Sequence, residues 1–278
     1  MIWIDGEAFE VGRYPNHEAV LRGLDPARLG QSVRLTWRYD DDADLVALYL
    51  VGRHLREARP DAQLSLHLLY LPYSRMDHVD GPGTVLSLAH AAELINAISA
   101  DEVVLYEPHS ARSLELVKNS RAEYPTLRLV ERTLDLMAGT RNVWLVYPDA
   151  GARARYTTHA GRAVAGTLVG AKRRDFDTGR ITGLTVEWPE DFDDTPGKVA
   201  VIADDLCSRG GTFLAVASQL RARGFSTVLL CVTHLEANAH TGELFAEGSA
   251  ITRVITTDAL NPDVHRNHPQ ISIYEMDK

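Results

Sequence analysis

The stretch Val199-Ala200-Val201-Ile202-Ala203-Asp204-Asp205-Leu206-Cys207-Ser208-Arg209-Gly210-Gly211-Thr212-Phe213 constrains this chain more than any other. An apolar run without polar interruption reads as a buried strand. Two adjacent carboxylates close it, and Gly-Gly-Thr then opens a segment with helical spacing. Strand, turn and helix in that order belong to an α/β fold built on a parallel sheet. Loop amides backed by a helix N-terminus form a site for a dianionic phosphate. Two acids beside such a site repel a bare anion, so they call for a polyhydroxylated molecule or a metal. A sugar phosphate satisfies both halves: its hydroxyls would meet Asp204 and Asp205, and its phosphate would meet Ser208, Arg209, Gly210, Gly211 and Thr212. The structural alternative is a strand–turn–helix corner carrying two solvated acids.

A chain of 278 residues can bury a large core and, at about 100–200 residues per domain, is expected to form two domains. We place them at 1–130 and 131–278. No run of about 18 apolar residues occurs, and Asp5, Glu7 and Glu10 interrupt the opening segment. Neither a membrane span nor a signal peptide is expected. Cys207 and Cys231 are too few for a disulfide framework and lack metal-ligand spacing, which fits a reducing cytoplasm. A net charge of −9 argues against nucleic acid as a partner. An anionic ligand therefore needs local clusters of Arg and Lys.

Apolar runs alternate with helical patterns along the chain. Strands are expected at 33–39, 64–70 and 103–106, with helices over 44–59 and 85–99, and a break falls near 120–135. Further strands are expected at 143–147, 167–170, 181–187, 198–203 and 227–232, with a helix running to about 223. The notable polar residues fall just past the C-terminal ends of strands, where open α/β sheets bind ligands.

Five further segments stand out: Gly12-Arg13-Tyr14-Pro15-Asn16-His17-Glu18, Leu69-Tyr70-Leu71-Pro72-Tyr73-Ser74-Arg75-Met76-Asp77-His78, Glu107-Pro108-His109-Ser110, Tyr147-Pro148-Asp149-Ala150-Gly151-Ala152-Arg153-Ala154-Arg155 and Ala171-Lys172-Arg173-Arg174. With the 199–213 loop, and in this order, they resemble the motifs of the ribose-phosphate diphosphokinase family from about Val11 to Asp258. The resemblance implies two tandem phosphoribosyltransferase-like domains, the first on the ATP side and the second on the ribose 5-phosphate side. It further implies that Tyr14, Asn16 and Glu18 contact adenine and that Arg75, Met76, Asp77 and His109 lie at ATP. His109 and Asp149 would stand at a Mg²⁺ ion, and Lys172 and Arg174 would stabilise the transition state. An aromatic face with polar groups suits a purine, and a guanidinium fork suits phosphate oxygens.

The activity so implied is transfer of diphosphate from ATP to the 1-hydroxyl of ribose 5-phosphate, in a homodimer or higher homo-oligomer. Two other readings stay open: a phosphoribosyltransferase that consumes the product, and a catalytically silent regulatory homologue. Met76, His78, Ser208 and Arg209 depart from the family pattern, in which Gln, Arg, Asp and Thr are usual. The segments before residue 12 and after residue 274 are expected to lack the family's opening strand–helix and closing helix. The 78–84 stretch lacks the family's arginines, so weak or absent allosteric inhibition by ADP is expected.

Overall fold

The computed structural model describes residues 1–79, 81–140, 142–156, 164–174 and 181–278; for 172–174 and 181–183 it describes the backbone alone. The chain divides into two compact units, Met1–Tyr124 with Met276–Lys278, and Pro125–Glu275.

The first unit opens with the hairpin β1 (Ile2–Ile4) and β2 (Glu7–Phe9), followed by the small antiparallel pair β3 (Gly12–Arg13) and β4 (Ala19–Val20). The chain then alternates β5 (Ser32–Trp37), α1 (Asp42–Ala58), β6 (Gln63–Leu68), α2 (Ser87–Asn96), β7 (Glu102–Tyr106), α3 (Ala111–Leu116) and β8 (Ser120–Glu123). The sheet order is β2-β1-β5-β6-β7-β8, with β5 to β8 parallel and β1 antiparallel to β5. Asp41 caps α1 by accepting from the Asp44 amide at 2.9 Å. Helical spacing places Leu45, Leu48, Val51 and Leu55 on one buried stripe against Leu35, Leu66 and Leu105 of the sheet. Gly52 lets α1 approach the turn after α2, because a Cβ there would lie 2.5 Å from Ile98. The last three residues return to this unit: Arg34 Nη2 donates to the Asp277 carbonyl at 3.1 Å, and Lys278 Nζ sits 5.3 Å from the Trp3 ring centroid.

The second unit contains α4 (Pro125–Leu136), β9 (Val143–Tyr147), α5 (Ala150–Tyr156), β10 (Gly166–Arg174), β11 (Ile181–Glu187), β12 (Lys198–Cys207), α6 (Gly211–Ala222), β13 (Phe225–Leu235), β14 (Arg253–Thr257), α7 (Pro262–His265) and β15 (Ile271–Tyr274). The sheet order is β11-β10-β9-β12-β13-β14-β15, parallel throughout except for the β10–β11 pair. Central β12 is buried from Lys198 to Ala203, as an apolar run in a sheet covered on both faces requires. Both units are thus mostly parallel α/β sheets flanked by helices.

Several elements differ from the sequence expectation. The opening strands 2–4 and 7–9 were not anticipated, since they are too short to show a period. The break near 120–135 instead holds edge strand β8 and helix α4. The helix expected over 85–99 spans Ser87–Asn96, and strand 167–170 extends to Arg174. Strands β14 and β15 lie beyond the last strand expected. Among the described residues, no helix is long and apolar enough to cross a membrane.

Candidate active site

Strand β12 outruns its neighbour. Its pairing with β9 ends at Ile202↔Val146, while its pairing with β13 continues to Cys207↔Leu235. Asp204 and Asp205 therefore lie where β12 has lost its β9 partner, and there α5 supplies a cation. Arg155 Nη1 lies 3.0 Å from Asp205 Oδ1 and 3.4 Å from Asp204 Oδ1, with side-chain exposures of only 13%, 6% and 18% for Arg155, Asp205 and Asp204. The Asp205 amide donates to Asp204 Oδ1 at 2.9 Å. Burial first, and then repulsion from Asp205, holds the Asp204 carboxyl well above the usual carboxylate range, against the pull of Arg155. Burial works against the Arg155 charge, but Asp205, Tyr156 and Asp204 outweigh it and the guanidinium stays protonated.

Threonines fix the backbone behind the acids. Thr126 Oγ1, from the first turn of α4, donates to the Asp204 carbonyl at 3.0 Å and accepts the Thr233 amide at 3.1 Å. Thr256 and Thr257 donate to the Thr233 carbonyl at 3.2 and 2.8 Å. The loop that follows turns at Gly210, whose φ of +80° favours glycine and whose Cβ would meet Leu244 at 2.8 Å. Gly211 differs: a Cβ there would meet nothing within 4 Å. The N-cap residue Gly210 has no side chain with which to cap α6, so the first amides of that helix can turn to water or a ligand. Ser208 is half-buried and Arg209 exposed. The turn at Gly242 packs close behind the loop, where a Cβ would stand 2.7 Å from the Arg209 carbonyl.

Asp149, just past β9, accepts the Ala152 amide at 3.0 Å and so caps α5. The backbone of Lys172 and Arg174 belongs to β10, in register with Leu184 and Ile181, with an irregularity between Arg173 and Arg174. The side chains of Lys172 and Arg174 lie outside the described part of the structure.

In the first unit, Tyr14, Asn16 and Glu18 occupy the exposed turn of the β3–β4 hairpin. The Tyr14 amide donates to the Glu18 carbonyl at 2.9 Å, and the Glu18 amide donates to Asn16 Oδ1 at 3.3 Å. Arg13 ties this hairpin to α1 through Asp44 at 2.8 Å. Arg75 and Met76 are exposed in the loop after β6. Asp77 is largely enclosed there and lies 2.6 Å from His78 Nδ1. Burial pushes the Asp77 carboxyl up, but the Ser110 hydroxyl, His78 and the charge of His109 outweigh it and hold it below its ordinary value. The loops after adjacent strands β6 and β7 thus converge, bringing Asp77 toward His109 and Ser110.

Residues without a sequence signal complete these sites. Arg155 was legible only as part of a motif, and Thr126 only as part of the break near 120–135. Tyr39 donates to Asp42 Oδ1 at 3.0 Å and packs against Tyr70 with ring centroids 5.8 Å apart, at the end of β5. Among the described residues, no group of three or more His, Cys, Asp or Glu converges as a metal cage would require. Magnesium carried on phosphate oxygens keeps several waters and needs one or two carboxylates at most. A carboxylate such as Asp149 fits that demand better than the His109 nitrogen does.

No family model matches the chain. It is 30% identical over 245 residues to a ribose-phosphate pyrophosphokinase of Thermococcus kodakarensis, covering 88% of this chain and 80% of that protein. The Methanothermobacter thermautotrophicus protein of the same name is 27% identical over 257 residues, covering 92% and 86%. A phosphoribosylpyrophosphate synthetase from Mycobacterium smegmatis shares the fold, with a TM-score of 0.76 at 19% identity over 96% of this chain and 86% of that one.

Proposed function

Since this chain belongs to the ribose-phosphate pyrophosphokinase family, we propose that it transfers diphosphate from ATP to the 1-hydroxyl of ribose 5-phosphate, giving 5-phosphoribosyl 1-diphosphate and AMP. One observation carries the reading to the residues: an acid pair on β12 leads into an uncapped helix start, with open space at Gly211. Carboxylates accept the ribose hydroxyls, and the amides of 208–212 hold the 5-phosphate.

The first unit supplies the ATP-binding residues Tyr14, Asn16, Glu18, Arg75, Met76, Asp77 and His109. The second supplies the ribose 5-phosphate site. As the 1-hydroxyl oxygen bonds to the β-phosphorus, the bond from that phosphorus to the α,β-bridging oxygen breaks, AMP leaves with that oxygen, and the hydroxyl proton passes to water. Lys172 and Arg174 stabilise the charge that develops on the non-bridging oxygens. Mg²⁺ bound with ATP, near Asp149 and His109, would neutralise phosphate charge. Positioning and electrostatics suffice, so no side chain is assigned as a general base. Two buried free cysteines suit a reducing cytoplasm, where we place the reaction. The family reading also carries a homo-oligomer.

Incubation with ATP, Mg²⁺ and ribose 5-phosphate, followed by measurement of AMP, tests the reading. Lys172→Ala is expected to cut kcat at least a hundred-fold, the scale of one lost oxyanion-type contact. No AMP under varied metal and phosphate conditions, with Lys172→Ala indistinguishable from the parent chain, would refute it.

A further inference from the structure

A buried histidine must account for both ring nitrogens, and His265, fully enclosed, does so in only one way. Its Nε2 lies 2.8 Å from the Leu235 carbonyl, which can only accept, so Nε2 carries the proton. Its Nδ1 is then an acceptor, and the Nε2–H of His240 donates to it at 2.8 Å. His240 belongs to the 3₁₀ turn Ala237–Thr241, and His265 closes α7. The two rings stack with centroids 5.0 Å apart, while Phe245 and His268 pack on His240 at 5.2 and 5.3 Å. Burial lowers both histidines below the ordinary value, so the pair is neutral at neutral pH, as this order of donors requires.

The segment held by this pair is the wall behind the phosphate loop. Two residues past His240, Gly242 stands so near the loop that a Cβ would lie 2.7 Å from the Arg209 carbonyl. Leu244 packs as closely on Gly210, 2.8 Å from where a Cβ would stand. At the other end of the segment, the Glu236 amide donates to the Cys207 carbonyl at 2.9 Å and so pins it to the strand that enters the loop. We propose that His240 and His265 are positioning residues for the 5-phosphate: the chain of hydrogen bonds from Leu235 through His265 to His240 fixes the wall at 236–244, and the wall holds the amides of 208–212 in place. Neither histidine touches the ligand. This inference rests on the 5-phosphate reading of the loop and extends it to residues outside the sequence motifs.

The test measures Tm, kcat and the KM values for ribose 5-phosphate and ATP in the parent chain, His240→Leu, His240→Gln and Gly242→Ala. His240→Leu takes the donor from the buried Nδ1 of His265. It should raise the KM for ribose 5-phosphate about ten-fold, the scale of one unmade buried hydrogen bond, and leave the KM for ATP unchanged. His240→Gln sets an amide N–H near the place of Nε2 and should recover most of that loss. Gly242→Ala acts on the loop from the wall itself and should likewise raise the KM for ribose 5-phosphate alone. If His240→Leu fails to fold, His240→Asn, whose amide is too short to reach His265, takes its place. A lower Tm with an unmoved KM for ribose 5-phosphate would overturn the proposal and leave the histidines a packing feature. So would a parallel rise in both KM values, or a folded His240→Gln chain no better than His240→Leu. Calorimetric titration with ribose 5-phosphate, without ATP, separates the two claims. Binding that weakens in His240→Leu, with no AMP formed even by the parent chain, defeats the diphosphate-transfer reading alone. AMP formation with an unchanged affinity for ribose 5-phosphate in the variant defeats the histidine reading alone.

Discussion

Gly211→Ala separates what the fold needs from what a ligand needs. A methyl group at 211 meets no protein atom within 4 Å, and the residue opens α6 without a left-handed φ. The fold therefore gives no reason for glycine here, and alanine should leave Tm unchanged or raise it, since glycine costs a helix interior about 1 kcal/mol relative to alanine. A 5-phosphate seated on the amides of 208–212 would meet that methyl group directly. Losing one charge-assisted hydrogen bond, worth about 1.5–3 kcal/mol, raises the KM for ribose 5-phosphate roughly ten- to a hundred-fold. Steady-state rates with ribose 5-phosphate varied at saturating ATP, paired with a thermal melt, read both quantities. Gly210→Ala is the contrast: the +80° φ and the 2.8 Å approach to Leu244 make it destabilising. A ribose 5-phosphate KM within two-fold of the parent value in a stable Gly211→Ala chain would refute the phosphate placement.

Two further outcomes follow from the charges. Asp204 is held above the usual carboxylate range, so its proton favours the native state; that stability is full at low pH and lost as pH rises through the raised value. Asp204→Asn should accordingly raise Tm at pH 8 while weakening ribose 5-phosphate binding, and a lower Tm would contradict the burial argument. His67 lies between the Ser65 and Tyr106 hydroxyls at 3.1 and 3.0 Å, and burial first, then Arg34, lowers it to about 4. It contributes stability above about pH 6.5, up to roughly 3 kcal/mol, that is lost as pH falls toward 4. Tm should fall over that window in the parent chain and more gently in His67→Gln; superimposable slopes would rule the contribution out.

What could be read in advance follows from physical range. The long apolar run of β12 and the periodic stripe of α1 declare themselves over many residues, and the five residues of β9 do so because they are apolar without interruption. The β1–β2 hairpin and edge strand β8 do not, because three or four residues are too few to establish a period. Strands β14 and β15 are similarly short. At the site, adjacency in sequence made the acid pair and the glycine loop legible. The Arg155 clamp, the Thr126 bond to Asp204 and the approach of Asp77 to His109 join residues about 30 to 80 positions apart. Such pairings are set by sheet order, which no local pattern encodes.

The return of residues 276–278 to the first unit affects how the chain is made. The β1–β2 hairpin and β5 leave the ribosome early, yet the Asp277 carbonyl that receives Arg34 and the Lys278 cation over Trp3 arrive only after every strand of the second unit. The first unit must wait with this latch open, and its most sequence-distant contacts close last. A tag fused directly after Lys278 would sit on that latch. One placed before Met1 would disturb an amino group that pairs with Asp40 and Asp44 at 3.0 and 3.2 Å. Residues 276–278 thus belong to the first unit's fold, and only the second unit can finish folding without that latch.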